Sequence, residues 1–150
     1  MIRIRKAIIE DEAKVIDLLR TYLSPIDSTI DWQMAAIIFQ EIVKNDEKGT
    51  TLVAEQEGDL VGVLTLSYPV AIRCGGIYSS IEGFIVSERV QGKGVGGQLL
   101  EAAIAEATAK GCYEIQANRS SEVGYPLYLR HGLKDSGSHL MMKLPHQAMN

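Results

Sequence analysis

Four glycines fall between positions 92 and 97 of this 150-residue chain, in the segment Val86-Ser87-Glu88-Arg89-Val90-Gln91-Gly92-Lys93-Gly94-Val95-Gly96-Gly97-Gln98-Leu99-Leu100. A β-rich run ends just before them and an apolar helical pattern begins just after. Glycine removes the side chains that would block a ligand and lets successive backbone N–H groups point into one concavity. The positive end of the new helix faces the same space, so the turn suits a phosphate or pyrophosphate. Lys93 either adds charge there or is simply solvated, and a flexible turn with no ligand is the competing reading. A P-loop is excluded, because no GxxxxGK[ST] occurs. Gly92-Lys93-Gly94-Val95-Gly96-Gly97 does match the GxGxxG pattern of dinucleotide sites, with Glu114 about twenty residues on. Those folds place the pattern after their first strand and need several βα units behind it. Here it follows most of the strands, and only about fifty residues remain.

Length and composition bound the rest. A chain of 150 residues argues for one domain spanning residues 1–150, and 46% hydrophobic with 23% charged residues is the balance of an ordinary soluble protein. The net charge of −4 disfavours nucleic acid as a partner, since phosphate neutralisation supplies most non-specific affinity. No apolar run approaches the ~18 residues of a bilayer span, so no membrane partner is expected. Met1-Ile2-Arg3-Ile4-Arg5-Lys6 lacks the apolar centre of a signal peptide. Cys74 and Cys112 have no His or Cys neighbours at zinc-ligand spacing, so no metal is expected and a reducing cytoplasm is the default compartment.

Hydrophobic periodicity predicts the order β-α-α-β-β-β-α-β-α-β, an α/β domain with a mixed sheet. Ile2 and Ile4 alternate as a first strand. Val15, Leu18, Leu19 and Tyr22 stripe a helix that opens on Glu10-Asp11-Glu12, and Pro25 ends it. A second helix is predicted from Thr29 to Val43. Residues 50–55 and 60–66 flank a hairpin turn at Glu57-Gly58-Asp59. Residues 77–86 form a further β-rich run. Residues 96–110 give the clearest helix, closed by Gly111. A strand at 112–117, a short helix from Glu122 to His131 and a last strand at 138–144 complete the pattern. The tail after about residue 145 reads as loose.

The alternative parse of the glycine turn is Gln91-Gly92-Lys93-Gly94-Val95-Gly96, of the form (Q/R)xxGx(G/A). It resembles the acyl-CoA pyrophosphate loop of the GNAT superfamily of N-acetyltransferases. Upstream, Ile81-Glu82-Gly83-Phe84-Ile85-Val86 is similar to the family's central strand, and downstream Leu127-Tyr128-Leu129-Arg130-His131-Gly132-Leu133 is similar to its (F/L)YxxxG(F/L) segment. The element order over residues 2–144 agrees with that fold. The resemblance implies a mixed, mostly antiparallel sheet, flanked by helices, whose central strand pair splays apart. It implies acetyl-CoA as co-substrate, held by the backbone of Phe84, Ile85 and Val86, by Gln91, Gly92, Lys93, Gly94, Val95, Gly96 and Gly97, and by Asn118 near the pantetheine amides. Gly83 would mark the bulge that lets the strands part.

In several small-amine and amino-sugar acetyltransferases of this superfamily, a glutamate at the position of Glu82 takes a proton from the amine. Glu82 shares an alternating face with Tyr78, Ser80, Phe84 and Val86, and partial burial there would raise its pKa toward a useful range. A solvent-facing strand glutamate is the competing reading. Relatives commonly carry Asp next to it, where this chain has Gly83, which weakens any inference about the substrate. Tyr128, at the family's motif position, is the candidate general acid for the leaving thiolate; a core tyrosine competes. His131 reads as a helix C-terminal cation, and Ser120 and Ser121 as helix caps. Asp27 and Asp31 lie in the connection that lines the acceptor site in relatives.

The expected activity is direct acetyl transfer to a primary amine of a small molecule, in the cytoplasm, with a homodimer expected by analogy with the family. The rivals are a non-catalytic acyl-CoA-binding module and a nicotinamide-dependent oxidoreductase.

Overall fold

The computed structural model of the chain describes residues 1–118, 124–137 and 140–145. Strand β1 (Ile2–Lys6) leads through a short 3-10 turn into helix α1 (Glu12–Leu23), followed by α2 (Trp32–Lys44). Strands β2 (Gly49–Gln56) and β3 (Asp59–Ser67) form a hairpin. A small ribbon of β4 (Val70–Ala71) and β5 (Gly76–Ile77) then precedes β6 (Ser79–Val86). Helix α3 (Val95–Ala109), β7 (Ile115–Ala117) and α4 (Gly124–Arg130) complete the order. The main sheet runs β1-β2-β3-β6-β7, antiparallel except for the parallel β6/β7 pair, which α3 connects.

The β2/β3 turn is closed by Glu57 and Gly58, at φ 51° and 85°. Two successive left-handed residues make the turn whose twist matches a two-residue hairpin. Both strands read as unbroken apolar runs because both faces of the sheet are covered. Leu52, Leu64, Leu66, Tyr68 and Ile81 pack with Leu99, Leu100 and Ala103 of α3 on one face. Val53, Leu60 and Val63 pack with Val15 of α1 and Phe39 of α2 on the other.

Local chemistry sets the helix ends. Asp31 accepts hydrogen bonds from the N–H groups of Gln33 and Met34, so α2 starts at Trp32, three residues later than expected. At the end of α3, Gly111 takes φ 76°, its N–H bonds the Thr108 carbonyl, and the Cys112 N–H bonds that of Ala107. That is a Schellman closure. Asp11 stands at the start of α1, and its buried carboxylate takes two hydrogen bonds from Arg5 of β1, at 2.7 and 3.0 Å, and one from the Ile8 N–H.

The expected final strand at 138–144 does not form where it can be seen. Residues 140–145 have no strand partner, and Leu140, Met141, Met142 and Leu144 are exposed. An apolar segment becomes a strand only when an edge accepts its backbone, and β7 offers three residues. Ser138 and His139 lie outside the described residues, as do Arg119–Val123 and the tail from His146, so the expected caps Ser120 and Ser121 and the start of the last helix at Glu122 are not described. Among the described residues, no helix is long and apolar enough to cross a membrane.

Candidate active site

Strand β6 organises the site. Its pairing with β7 covers only Ser79 to Ile81, opposite Ile115 to Ala117. From Gly83 to Val86 the β6 edge on that side has no strand partner among the described residues. The central strands therefore part where a splay was expected, and the backbone of Phe84, Ile85 and Val86 lies along the gap.

On its other edge β6 pairs with β3, and the register slips there. Thr65 sits opposite Gly83 and Leu66 opposite Ile81, which leaves Glu82 as the extra residue of a bulge. The bulge corrects the expected alternation. Ile81 packs on the α3 face, as do Phe84 and Val86 beyond the bulge. Gly83 faces the other side, its missing Cβ lying 3.6 Å from Leu19 of α1. Glu82 is directed with it, because its carboxylate accepts a 2.6 Å hydrogen bond from Ser67 Oγ, between Leu66 and Tyr68 on the α3 face. Glu82 thus shares a side with Ser80 but not with Phe84 or Val86. It is also exposed rather than partly buried, so the expected burial is absent. Glycine follows it for a steric reason: a Cβ at 83 would stand 3.1 Å from Thr65 Oγ1.

The glycine turn folds over the end of β6. Val90 is buried and anchors a 3-10 turn, Glu88–Val90. The Glu88 N–H donates to Tyr22 Oη of α1 at 3.0 Å, and Gln91 Nε2 reaches the Val86 carbonyl at 3.5 Å, a weak contact. Gly92 and Gly94 both take φ 80°, and a Cβ built on either would meet nothing within 4 Å. None of the N–H groups of Gly92, Gly94, Val95, Gly96 and Gly97 is spent on a backbone carbonyl among the described residues. Exposed Lys93 lies between the two left-handed glycines. Unspent N–H groups at a helix N-terminus beside open space fit a pyrophosphate.

Gly96 and Gly97 also meet a packing demand. A Cβ at 96 would lie 3.1 Å from Leu127 Cδ2 and 3.8 Å from both Phe84 Cζ and Val86 Cγ2. One at 97 would lie 3.4 Å from the His131 ring. Only Gly92 and Gly94 keep the ligand side clear; Gly96 and Gly97 let α4 press against the first turn of α3. His131 joins that contact, with Nδ1 2.9 Å from the Leu127 carbonyl and Nε2 3.4 Å from Glu101.

Tyr128 of α4 faces Phe84, with ring centroids 6.1 Å apart and planes tilted by 58°. Burial pushes its phenol above the ordinary tyrosine value, so it keeps its proton throughout the neutral range. Asn118, exposed just beyond β7, lines the same groove of about 1040 Å³ as Tyr128. The cofactor candidates and Tyr128 thus surround the open end of β6, while Glu82 stands on the strand's opposite side.

Asp27 and Asp31, in the connection that lines the acceptor site in relatives, are already engaged. Asp31 caps α2. Asp27 accepts hydrogen bonds from Thr29 and pairs with Lys143. Ser67, Leu127 and Tyr22 were given no role at the site from the sequence, although Leu127 opens the (F/L)YxxxG(F/L) segment and Tyr22 belongs to the α1 stripe. A serine at a strand end, an apolar helix residue and a tyrosine on a helix stripe carry no local mark of their role.

The sequence profile of the acetyltransferase (GNAT) family matches residues 13–133. The chain belongs to that family. No curated protein sequence matches it significantly. Solved structures with the same fold include glucosamine-6-phosphate N-acetyltransferase from Arabidopsis thaliana, at 24% identity and TM-score 0.79, covering 96% of this chain and 98% of that one. A predicted acetyltransferase with acetyl-CoA from Clostridium acetobutylicum has 19% identity and TM-score 0.78, covering 95% and 96%. The ribosomal-protein-alanine N-acetyltransferase from Brucella melitensis has 18% identity and TM-score 0.75, covering 96% and 99%. The GNAT enzyme described here therefore shares its fold with proteins named for small and for protein acceptors.

Proposed function

We propose that this GNAT acetyltransferase moves an acetyl group from acetyl-CoA directly to a primary amine of a small molecule. The observation that carries this reading is the bulge at Glu82. It sets a carboxylate on one side of β6 within a residue of the strand segment whose other side meets the glycine turn and Tyr128. An acceptor and a cofactor can then approach the same short stretch of backbone from opposite sides, and holding them together removes most of the entropic barrier.

Acetyl-CoA supplies the activated acyl group: a C–N bond forms at the thioester carbonyl as the C–S bond breaks. Glu82 accepts one proton from the amine nitrogen, directly or through water. The Tyr128 phenol donates to the departing sulfur, and solvent exchange restores both residues. A free N–H of the Phe84–Val86 edge donates to the carbonyl oxygen as negative charge gathers there. Gln91, Lys93 and Asn118 contribute to holding the cofactor, beside the N–H groups of Gly92 to Gly97. Leu19 closes the face next to Glu82, which favours an acceptor that is narrow at its amine end. Structural neighbours are named for glucosamine-6-phosphate and for a ribosomal-protein alanine, and between those sizes the crowding by Leu19 favours the small acceptor. The sparse cysteines support a cytoplasmic setting, and the family resemblance supports a homodimer.

The test is thiol release from acetyl-CoA with a panel of primary amines, using wild type and Glu82→Gln. An amine with a pKa of ~10.4 is only about one part in 10³ neutral near pH 7.4. The variant should therefore be slow at neutral pH and recover partly as rising pH supplies free amine. Equal rates at every pH would remove Glu82 from the chemistry. Tight binding of acetyl-CoA with no thiol release for any amine would make the protein a binding module.

A further inference from the structure

We infer that Ser67 is the positioning residue of the proposed base: its hydroxyl holds the Glu82 carboxylate in one orientation, leaving the second oxygen for the acceptor's proton. The inference rests on Glu82 acting as that base.

A glutamate on an exposed bulge has three free side-chain torsions, and an oxygen that must meet an amine proton gains from every torsion that is fixed in advance. Ser67 Oγ donates to Glu82 Oε2 at 2.6 Å, the length of a charge-assisted O–H···O⁻ bond. Among the described residues no salt bridge reaches Glu82, so this hydroxyl alone holds the carboxylate. A hydroxyl orients a carboxylate without neutralising it, which a lysine or arginine in its place would do.

Ser67 is well built for the task. It ends β3 and is paired on both sides, with Gly49 of β2 and with Ser80 of β6. Two ladders fix its backbone, and its side chain has a short reach. Its partner across the strands is Ser80, two residues before Glu82, so the contact runs diagonally along one face of the sheet. Among the described residues Oε1 has no hydrogen-bond donor. Ser67 keeps its own proton throughout; the proton that leaves the amine goes to Glu82.

The experiment measures kcat and KM for thiol release from acetyl-CoA with ethanolamine, glucosamine and lysine amide as acceptor probes, using the fastest. Four proteins are compared with wild type: Ser67→Ala, Ser67→Thr, Glu82→Gln and the Ser67→Ala/Glu82→Gln double variant. Melting temperatures establish that each is folded. Loss of orientation should lower kcat of Ser67→Ala by about tenfold with little change in the KM for acetyl-CoA, and Ser67→Thr, which keeps a hydroxyl, should recover most of it. The double variant should be no slower than Glu82→Gln, because the serine acts only through the carboxylate. Normal kcat for Ser67→Ala beside a slow Glu82→Gln would overturn the role of Ser67 and leave the base in place. A tenfold loss from removing the hydroxyl on the Glu82→Gln background would overturn it too, since Ser67 would then act elsewhere. Unchanged turnover in Glu82→Gln, or no thiol release with any probe, would sink the base and its positioning residue together.

Discussion

The rings of Phe84 and Tyr128 stand 6.1 Å apart, tilted by 58°, and join the free edge of β6 to α4. Phenylalanine at 128 keeps the ring and so keeps this contact. Tyr128→Phe should therefore keep its melting temperature and its affinity for acetyl-CoA. Turnover should fall by about 10²-fold, the usual scale for losing a general acid. Calorimetric titration and steady-state kinetics on the same sample separate the two effects; normal turnover would return Tyr128 to a packing role.

The glycines of the turn should divide by function. Gly94→Ala forces a Cβ onto a left-handed residue at φ 80° and places it in the open space proposed for the pyrophosphate. Strain of about 1 kcal/mol accompanies it. The expected outcome is weaker acetyl-CoA binding by titration with a small fall in stability. Gly96→Val instead drives bulk into Leu127, Phe84 and Val86, and should cost about 1–3 kcal/mol of stability by urea unfolding. Equal stability of the two variants would contradict this division.

Asp11 should govern the acid limit of stability. The Arg5 guanidinium holds its carboxyl below the usual carboxylate range, against an opposing push from burial. A lowered folded value means that this stabilisation is complete above the unfolded pKa of about 3.9 and is lost as pH falls through the lower folded value. Asp11→Asn should cost about 1–3 kcal/mol at neutral pH, because Arg5 loses one charged partner but keeps Glu55. It should also flatten the acid limb of a stability–pH curve, measured by urea unfolding between about pH 5 and pH 2.

Tyr68 should set an alkaline limit. Its buried hydroxyl lies 2.6 Å from Thr50 Oγ1, and burial raises its pKa, outweighing that hydrogen bond. With the folded value raised, the contribution is intact below the unfolded pKa of about 10. It is lost as pH climbs, because the unfolded chain ionises first. Tyr68→Phe should cost about 1–2 kcal/mol at neutral pH by orphaning the Thr50 hydroxyl. The variant should then decline less steeply than wild type above about pH 10.

Much of this was legible in the chain itself, because it depends on neighbours in sequence. Alternation and 3.6-residue stripes marked β1, α1, the β2/β3 hairpin and α3. Glycine spacing marked the turn before α3, and the splay and bulge near Gly83 were expected from the resemblance of residues 81–86 to a known strand. Local rules reach only a few residues, and these features need no more.

What the tertiary structure alone decided are the relations between residues far apart in the chain. The register slip at Thr65/Leu66 is set by how β6 lies on β3, and it moved Glu82 to the side opposite Phe84 and Val86. The contact of Ser67 with Glu82 crosses that same register. The four glycines look alike in sequence, yet α4 packs against Gly96 and Gly97 and leaves Gly92 and Gly94 open. Residues 140–144 are apolar enough for a strand, but β7 does not pair with them. A strand's pattern states which faces are apolar; only its partner fixes the register, the bulge and whether the strand exists.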